Sequence, residues 1–394
     1  MASRPDPGRW TSMTLRSFVF WPHLVSGVLA GTVVLTMSVT GVLLTYEKQM
    51  IARADASVRL SGAAADRLPP EALIARVAAE HAAVPVAVVM PAAPEKPALV
   101  TVRQTVHLVD PYSGATLGAS APRLRAFFRT VTDVHRWLAV QGEARAGARA
   151  VTGWANFLFL LMVLSGIYLW WPRRWTRQHV KAVAVLNPKL SGKARDFNWH
   201  NAIGVWCAVP LFFVVLGAIP ISFPWATALV YRAVGETPPA AAPARTGAGP
   251  AQPAGAPLVN LPGLNDAWEK AEAQVEGWRT VTLRVPTAAR APFVFTIDRG
   301  SAGQPQHRGT LTIPRDGSGA LSWEPFQAQS RGRRIRTFLR FLHTGEVFGI
   351  AGQTVAGLAS SGAVFLVWTG LALSWRRFVG GKRKPEDQRA RVAA

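Results

Sequence analysis

The chain has 394 residues, a formal net charge of +22 and a single cysteine. That length allows more than one domain. The lone Cys207 excludes an intramolecular disulfide, a thiolate-held iron–sulfur cluster and the paired-cysteine attachment of c-type haem. The charge raises nucleic acid as a partner, but no recognised nucleic-acid module accompanies it, and much of it flanks apolar stretches where it sets topology and meets anionic lipid.

The first apolar stretch, Phe18 to Tyr46, exceeds the roughly 20 residues that cross a bilayer at about 1.5 Å rise each. It begins too late and runs too long for a cleavable signal, and no small-residue cleavage site precedes Glu47, so a retained helix is expected. Beyond it, Pro70 to Ala82 reads as helix, and Val84 to Val89, Leu99 to Gln104 and Val106 to Val109 read as strands. Asp110-Pro111-Tyr112-Ser113-Gly114 makes a turn. Phe127, Phe128, Val131 and Val134 give the segment around His135 one apolar face, which predicts a short helix folded onto the membrane surface.

Three further spans follow: Val151 to Trp171, Ile203 to Trp225 and Ala351 to Trp375. Between the last two lie an Ala/Pro/Gly-rich linker, Pro238 to Pro257, and a second helix-and-strand segment. In that segment Leu264 to Val275 reads as helix, Thr280 to Val285, Phe293 to Asp298 and Thr310 to Ile313 as strands, and Arg315-Asp316-Gly317 as a turn. Phe338, Leu339 and Leu342 give the helix that carries His343 an apolar face. Trp21, Trp170, Trp171, Trp225 and Trp375 at the span ends form an aromatic belt.

Orientation follows from basic residues in the short flanks. Arg4, Arg9 and Arg16 precede the first span, and Arg173, Arg174, Arg177, Lys181, Lys189, Lys193 and Arg195 fill the loop after the second. Arg376, Arg377, Lys382, Arg383 and Lys384 follow the last. The positive-inside rule then puts both termini in the cytoplasm and the two long segments outside. The expected division is a tail over 1–17, spans over 18–46, 146–172, 199–225 and 346–375, and a cytoplasmic loop over 173–198. Outer domains occupy 47–121 and 226–330 (linker included), membrane-surface helices 122–145 and 331–345, and a C-terminal tail 376–394.

The chain is written twice. His23 opens the first span and His200 the third, each with a glycine four residues on, Gly27 and Gly204, along the same helical face. Gly41 and Gly217 stand near the far ends of these spans. The second span ends Ser165-Gly166-Ile167-Tyr168-Leu169-Trp170-Trp171-Pro172-Arg173-Arg174, and the fourth ends Thr369-Gly370-Leu371-Ala372-Leu373-Ser374-Trp375-Arg376-Arg377. Arg125 precedes His135 by ten residues, as Arg333 precedes His343. The unit of span, outer domain, histidine helix and span has been duplicated.

A single histidine at a helix end is ordinarily an interfacial hydrogen-bonding residue. Four in duplicated contexts, two near each surface, can supply two pairs of axial ligands for iron porphyrin, because a neutral imidazole donates a nitrogen lone pair to haem iron. His23 would pair with His200 and His135 with His343. Gly27 and Gly204 would either admit the flat macrocycle or let helices pack closely, since Gly27-x-x-x-Gly31 fits the small-residue motif. Arg125, Arg129, Arg333, Arg336 and Arg340 can pair with haem propionates or face lipid headgroups. Zinc fits poorly, with two histidines and no matching cysteine on each side. His81, His107, His179 and His307 lack repeat partners and read as surface residues, with His179 the reserve ligand.

The two outer α-plus-β units, the His-x-x-x-Gly openings and the Gly-x-x-x-Trp-Trp-Pro-Arg-Arg ending resemble the PepSY-associated transmembrane helix family, over nearly the whole chain. The Ala/Pro linker departs from the usual pattern, as does the lack of a Thr-Gly pair in the third span. The resemblance implies an α-helical bacterial inner-membrane protein with four transmembrane helices and two periplasmic PepSY-like domains. It further implies two non-covalent b haems held by His23, His200, His135 and His343, and a periplasmic ferric siderophore or related chelate as electron acceptor. No Gly-x-Gly-x-x-Gly strand–helix unit or P-loop occurs, so the donor would be a separate cytoplasmic partner or a quinol. The alternative is a membrane-anchored PepSY binding protein, a peptidase inhibitor or sensor, without redox activity. A transporter fits less well, since polar groups lie mainly near the span ends.

Overall fold

The computed structural model describes residues 14–58, 60, 66–171, 175–239, 261–288, 290–301, 303–315 and 320–379. The expectations for Arg4, Arg9, Pro172, Arg173, Arg174, Asp316, Gly317, Lys382, Arg383, Lys384, nearly all of the Pro238–Pro257 linker and the side chain of His179 lie outside them. The chain divides into a helical unit (1–42, 133–222 and 355–394) and a sheet unit (43–132 and 223–354).

The helical unit holds most of the four helices long and apolar enough to cross a membrane: α1 (Leu15–Leu44), α5 (Arg145–Trp170), α7 (Gly192–Ser222) and α11 (Gly349–Phe378). Each is hydrophobic around most of its circumference, the composition of a helix surrounded by lipid rather than half-wetted. Trp206 on α7 is 74 % exposed and Leu29 on α1 is 73 % exposed, which only an apolar solvent tolerates across a whole bundle. The interior is narrow. Val163, Leu211, Ala359 and Ala363 form one buried cluster, Ala30, Val34 and Ala155 another, and Phe159 packs against both. Small residues let the backbones approach. A side chain added at Gly362 would strike the Cys207 sulfur, and one at Gly31 would meet Leu371 at 3.3 Å.

Two polar ties reinforce the bundle. Asn156 of α5 is buried and donates its side-chain amide to the Val215 carbonyl of α7 at 3.1 Å. At the other end Asp196, 2 % exposed and one turn before His200, pairs with Arg376 of α11 at 3.1 Å and with Arg195 at 2.9 Å. The short α6 (Arg177–Ala184) packs on α7 through Asn198, whose amide reaches the carbonyls of Ala182 and Val185.

In the sheet unit, α2 (Glu47–Asp55) leads to α3 (Pro70–His81) and strands β1 (Pro85–Pro91), β2 (Ala98–Val102), β3 (Thr105–Val109) and β4 (Thr116–Ala119), then to α4 (Pro122–Trp137), which ends in the helical unit. The second half repeats this after α8 (Pro224–Arg232): α9 (Leu264–Ala273), β5 (Thr280–Arg284), β6 (Phe293–Asp298), β7 (Arg308–Ile313), β8 (Ser322–Pro325) and α10 (Arg331–His343). Sequence reading anticipates the helix and three strands of each half, but not β4 or β8. Those are four-residue edge strands, too short for a periodic signal.

The halves form one sheet of eight antiparallel strands in the order β4-β3-β2-β1-β5-β6-β7-β8. β1 and β5 join them, with Ala87 opposite Arg284 and Pro91 opposite Thr280. Each half would otherwise present an open edge there, and pairing satisfies both. The inward residues Val88, Met90, Val100, Val281, Leu283, Phe295, Ile297 and Leu311 pack under α3 and α9 as a single core. The two helix N-termini cap each other: the Glu71 carboxylate accepts from Leu264 N at 2.9 Å, and Asn265 Oδ1 accepts from Glu71 N at 3.1 Å.

A candidate bis-histidine centre

Each span histidine of the helical unit has one ring nitrogen engaged by a hydroxyl on a neighbouring helix. His23 Nδ1 lies 2.8 Å from Ser165 Oγ of α5, and His200 Nδ1 lies 2.9 Å from Thr369 Oγ1 of α11. On α4, His135 Nδ1 lies 2.9 Å from Thr40 Oγ1 of α1. All three hydroxyls also bond a carbonyl one turn back in their own helix: Ser165 to Leu161 at 2.7 Å, Thr369 to Phe365 at 2.7 Å and Thr40 to Thr36 at 2.6 Å. A hydroxyl has one proton, and the carbonyl can only accept. The hydroxyl therefore accepts from the imidazole, Nδ1 carries the proton, and the Nε2 lone pair is available to a metal.

A glycine follows each hydroxyl and faces the same ring. A Cβ on Gly166 would stand 3.5 Å from His23 Cε1, one on Gly370 3.3 Å from His200 Cε1, and one on Gly41 3.7 Å from His135 Cε1. Larger residues would crowd the imidazole. Gly27 and Gly204, read from the sequence as admitting a macrocycle or letting helices pack closely, face the Met162 sulfur and Leu366, both helix-packing contacts. Each ring-facing glycine follows a Ser or Thr, as Thr40-Gly41, Ser165-Gly166 and Thr369-Gly370, but so do Gly27, Gly153 and Gly362, so the dipeptide alone does not single them out.

His23 and His200 meet. Their ring centroids are 6.5 Å apart and their planes stand at 84°. Two imidazoles on opposite sides of one metal ion, with metal–nitrogen bonds of about 2.1 Å, have centroids roughly 6 Å apart. The pair is therefore spaced to share one ion between them, and its Nδ1 protons are directed away to Ser165 and Thr369. These residues fit an iron porphyrin held through two axial imidazoles.

His135 belongs to the helical unit and His343 to the sheet unit. The His135 segment is pinned to the start of α5. Arg145 pairs with Asp133 at 2.8 Å and lies over the Trp137 ring at 3.5 Å, while Thr152 donates to the Arg136 carbonyl at 3.1 Å. His343 ends α10, whose first turn is capped by Ser330 and by the Glu236 carboxylate, which accepts from Arg331 N and Gly332 N. After it the chain reverses at Gly345, packed so closely on Gly352 that a side chain there would meet backbone. Arg125 and Arg333 both have acceptors within the protein. Arg125 donates to Ser120 and lies 3.9 Å from Asp55, and Arg333 pairs with Glu324 at 3.1 Å. Phe341, two residues before His343, has Lys48, Arg308 and Arg340 within 5.8 Å of its ring.

Among the described residues no group of three or more His, Cys, Asp or Glu side chains is arranged to hold a metal ion. Two of the histidines set aside in the sequence do meet: His81 and His107 have ring centroids 4.2 Å apart. No signal short of the fold pairs the end of α3 with the middle of β3. No curated protein is significantly similar to the chain. The family model described as PepSY-associated TM region matches residues 20–377, from the start of the first span to the end of the last, and the chain belongs to that family.

Proposed function

We propose that this protein is a di-haem b-type reductase of the bacterial inner membrane, passing electrons outward to a ferric siderophore or other ferric chelate. The observation that supports the reading best is the His23–His200 pair, 6.5 Å between ring centroids with both Nδ1 positions held by hydroxyls that have already donated their own proton. Haem, when bound, supplies a carrier that takes up and gives up one electron without a proton donor in the protein. His23 and His200 hold one group through Nε2, and Ser165 and Thr369 fix their tautomer and ring orientation. Thr40 orients His135, a candidate ligand of the second group, in the same way.

With both termini cytoplasmic and the sheet unit periplasmic, the first couple lies toward the cytoplasm, where a separate partner or a membrane quinol delivers the electron. The reaction is the one-electron reduction of chelated Fe(III) to Fe(II). Ferrous iron is softer and less charged, so a hard oxygen chelator holds it far less tightly and the metal is released.

The test is optical. Purified protein should show a dithionite-reducible low-spin haem spectrum with two haems per chain. Alanine at His23 or His200 should remove one haem and leave the other reducible; alanine at His135 or His343 should do the converse. A colourless protein after haem-supplemented expression, or four single variants that keep full haem content, would overturn the reading.

A further inference from the structure

The His81–His107 pair lies in the sheet unit, far along the chain from every span. His81 is the last residue of α3, where the helix C-terminus favours positive charge, and the next residue, Ala82, turns left-handed at φ 47°. His107 is on β3, opposite Val100 of β2. Thr116 of β4 completes the arrangement. Its hydroxyl donates to Glu80 Oε2 at 2.7 Å and lies 3.2 Å from His81 Nε2. The threonine proton is committed to the carboxylate, so His81 donates from Nε2 and keeps its lone pair on Nδ1. Metal-ligating histidines are oriented by donating the other ring N–H to a polar acceptor, and here that acceptor is the Thr116 hydroxyl.

We infer that His81, through Nδ1, and His107 form a site for a divalent first-row transition-metal ion, oriented by Thr116 and charge-balanced by Glu80. The spacing is that of neighbouring ligands rather than opposed ones. Two imidazoles at right angles around one ion, with metal–nitrogen bonds of about 2.1 Å, have centroids roughly 4 to 5 Å apart. The observed 4.2 Å falls there, whereas the 6.5 Å of His23 and His200 belongs to ligands on opposite sides of an ion. Imidazole ligands suit copper, nickel and ferrous iron, with Cu(II) bound most tightly. The site stands independently of the haem reading, although ferrous iron freed from a chelate is an ion of this class.

Cu(II) added to the full-length protein in detergent at pH 7.5 tests it by electron paramagnetic resonance. The wild type should bind one equivalent whose spectrum carries splitting from two imidazole nitrogens, and His81→Ala and His107→Ala should each abolish that two-nitrogen signal. His307→Ala should leave it intact. Thr116→Val, which keeps both rings but frees the His81 tautomer, should weaken binding about tenfold. A wild type without the two-nitrogen signal, or one that survives loss of either histidine, overturns the site. Haem content plays no part in the readout, so its failure and that of the reductase reading are separable.

Discussion

His200 donates its Nδ1 proton to Thr369, 2.9 Å away on the facing helix, and Thr369 donates its own proton to the Phe365 carbonyl at 2.7 Å. The same two-step relay recurs at His23 with Ser165 and at His135 with Thr40. A membrane interior offers no water to take an imidazole proton, so the hydroxyl and the spare capacity of a helix carbonyl do so instead.

Thr369→Val should take the hydroxyl acceptor away from the His200 Nδ1–H in an apolar setting, leaving it only the Leu366 carbonyl. The expected cost is about 1–3 kcal/mol in thermal unfolding in detergent. Thr369→Ser should restore the wild-type value, because it returns the hydroxyl. Equal stability of the valine and serine variants would show that the relay does not hold the ring.

Gly362 faces Cys207 so closely that Gly362→Ala must turn the Cys207 sulfur aside or part α7 and α11. A loss of about 1–3 kcal/mol is expected. Adding Cys207→Ala should recover much of it, since the sulfur is the obstructing atom. Differential scanning fluorimetry on the two single variants and the double variant reads the coupling directly.

The crossed caps between α3 and α9 predict a shared energy. Glu71→Ala and Asn265→Ala each remove an acceptor from a helix N-terminus, and each should cost about 0.5–2 kcal/mol. Unfolding of the single and double variants by denaturant gives the comparison. Variants that leave the midpoint unchanged would assign both amides to water.

His107 gives the sheet unit a pH dependence of known sign. Its value in the folded protein lies below the ordinary 6.5, so the unfolded chain binds more protons as the pH falls past that value. Stability should be fully present above about pH 6.5 and decline as the pH drops toward the folded value. His107→Gln should flatten the decline. Melting curves from pH 7.5 to 5 that are parallel for wild type and variant would exclude His107 as the cause.

The sequence by itself determined the four spans, the duplication and the helix-and-strand content of the outer segments. Apolar length, period-2 alternation and turn chemistry act over a few residues and leave their mark locally. It also singled out His23 and His200, because matching positions in two repeats are visible in one dimension. It did not reveal which residues hold those rings. Gly27 and Gly204 lie one turn from each histidine along its own helix, but the glycines against the imidazoles are Gly166 and Gly370 on other helices. A helix position has neighbours three and four residues away along its own chain, but its partners across the bundle depend on how helices pack.

The same limit governs the sheet. Each half shows its strands, while their fusion through β1 and β5 into one eight-stranded sheet is settled only where two open edges meet. His81 and His107 read as unrelated surface residues until α3 is laid against β3. Local chemistry writes the elements into the chain; which side chains share a metal-sized gap is fixed by contacts between segments distant in sequence, and only the packed fold contains them.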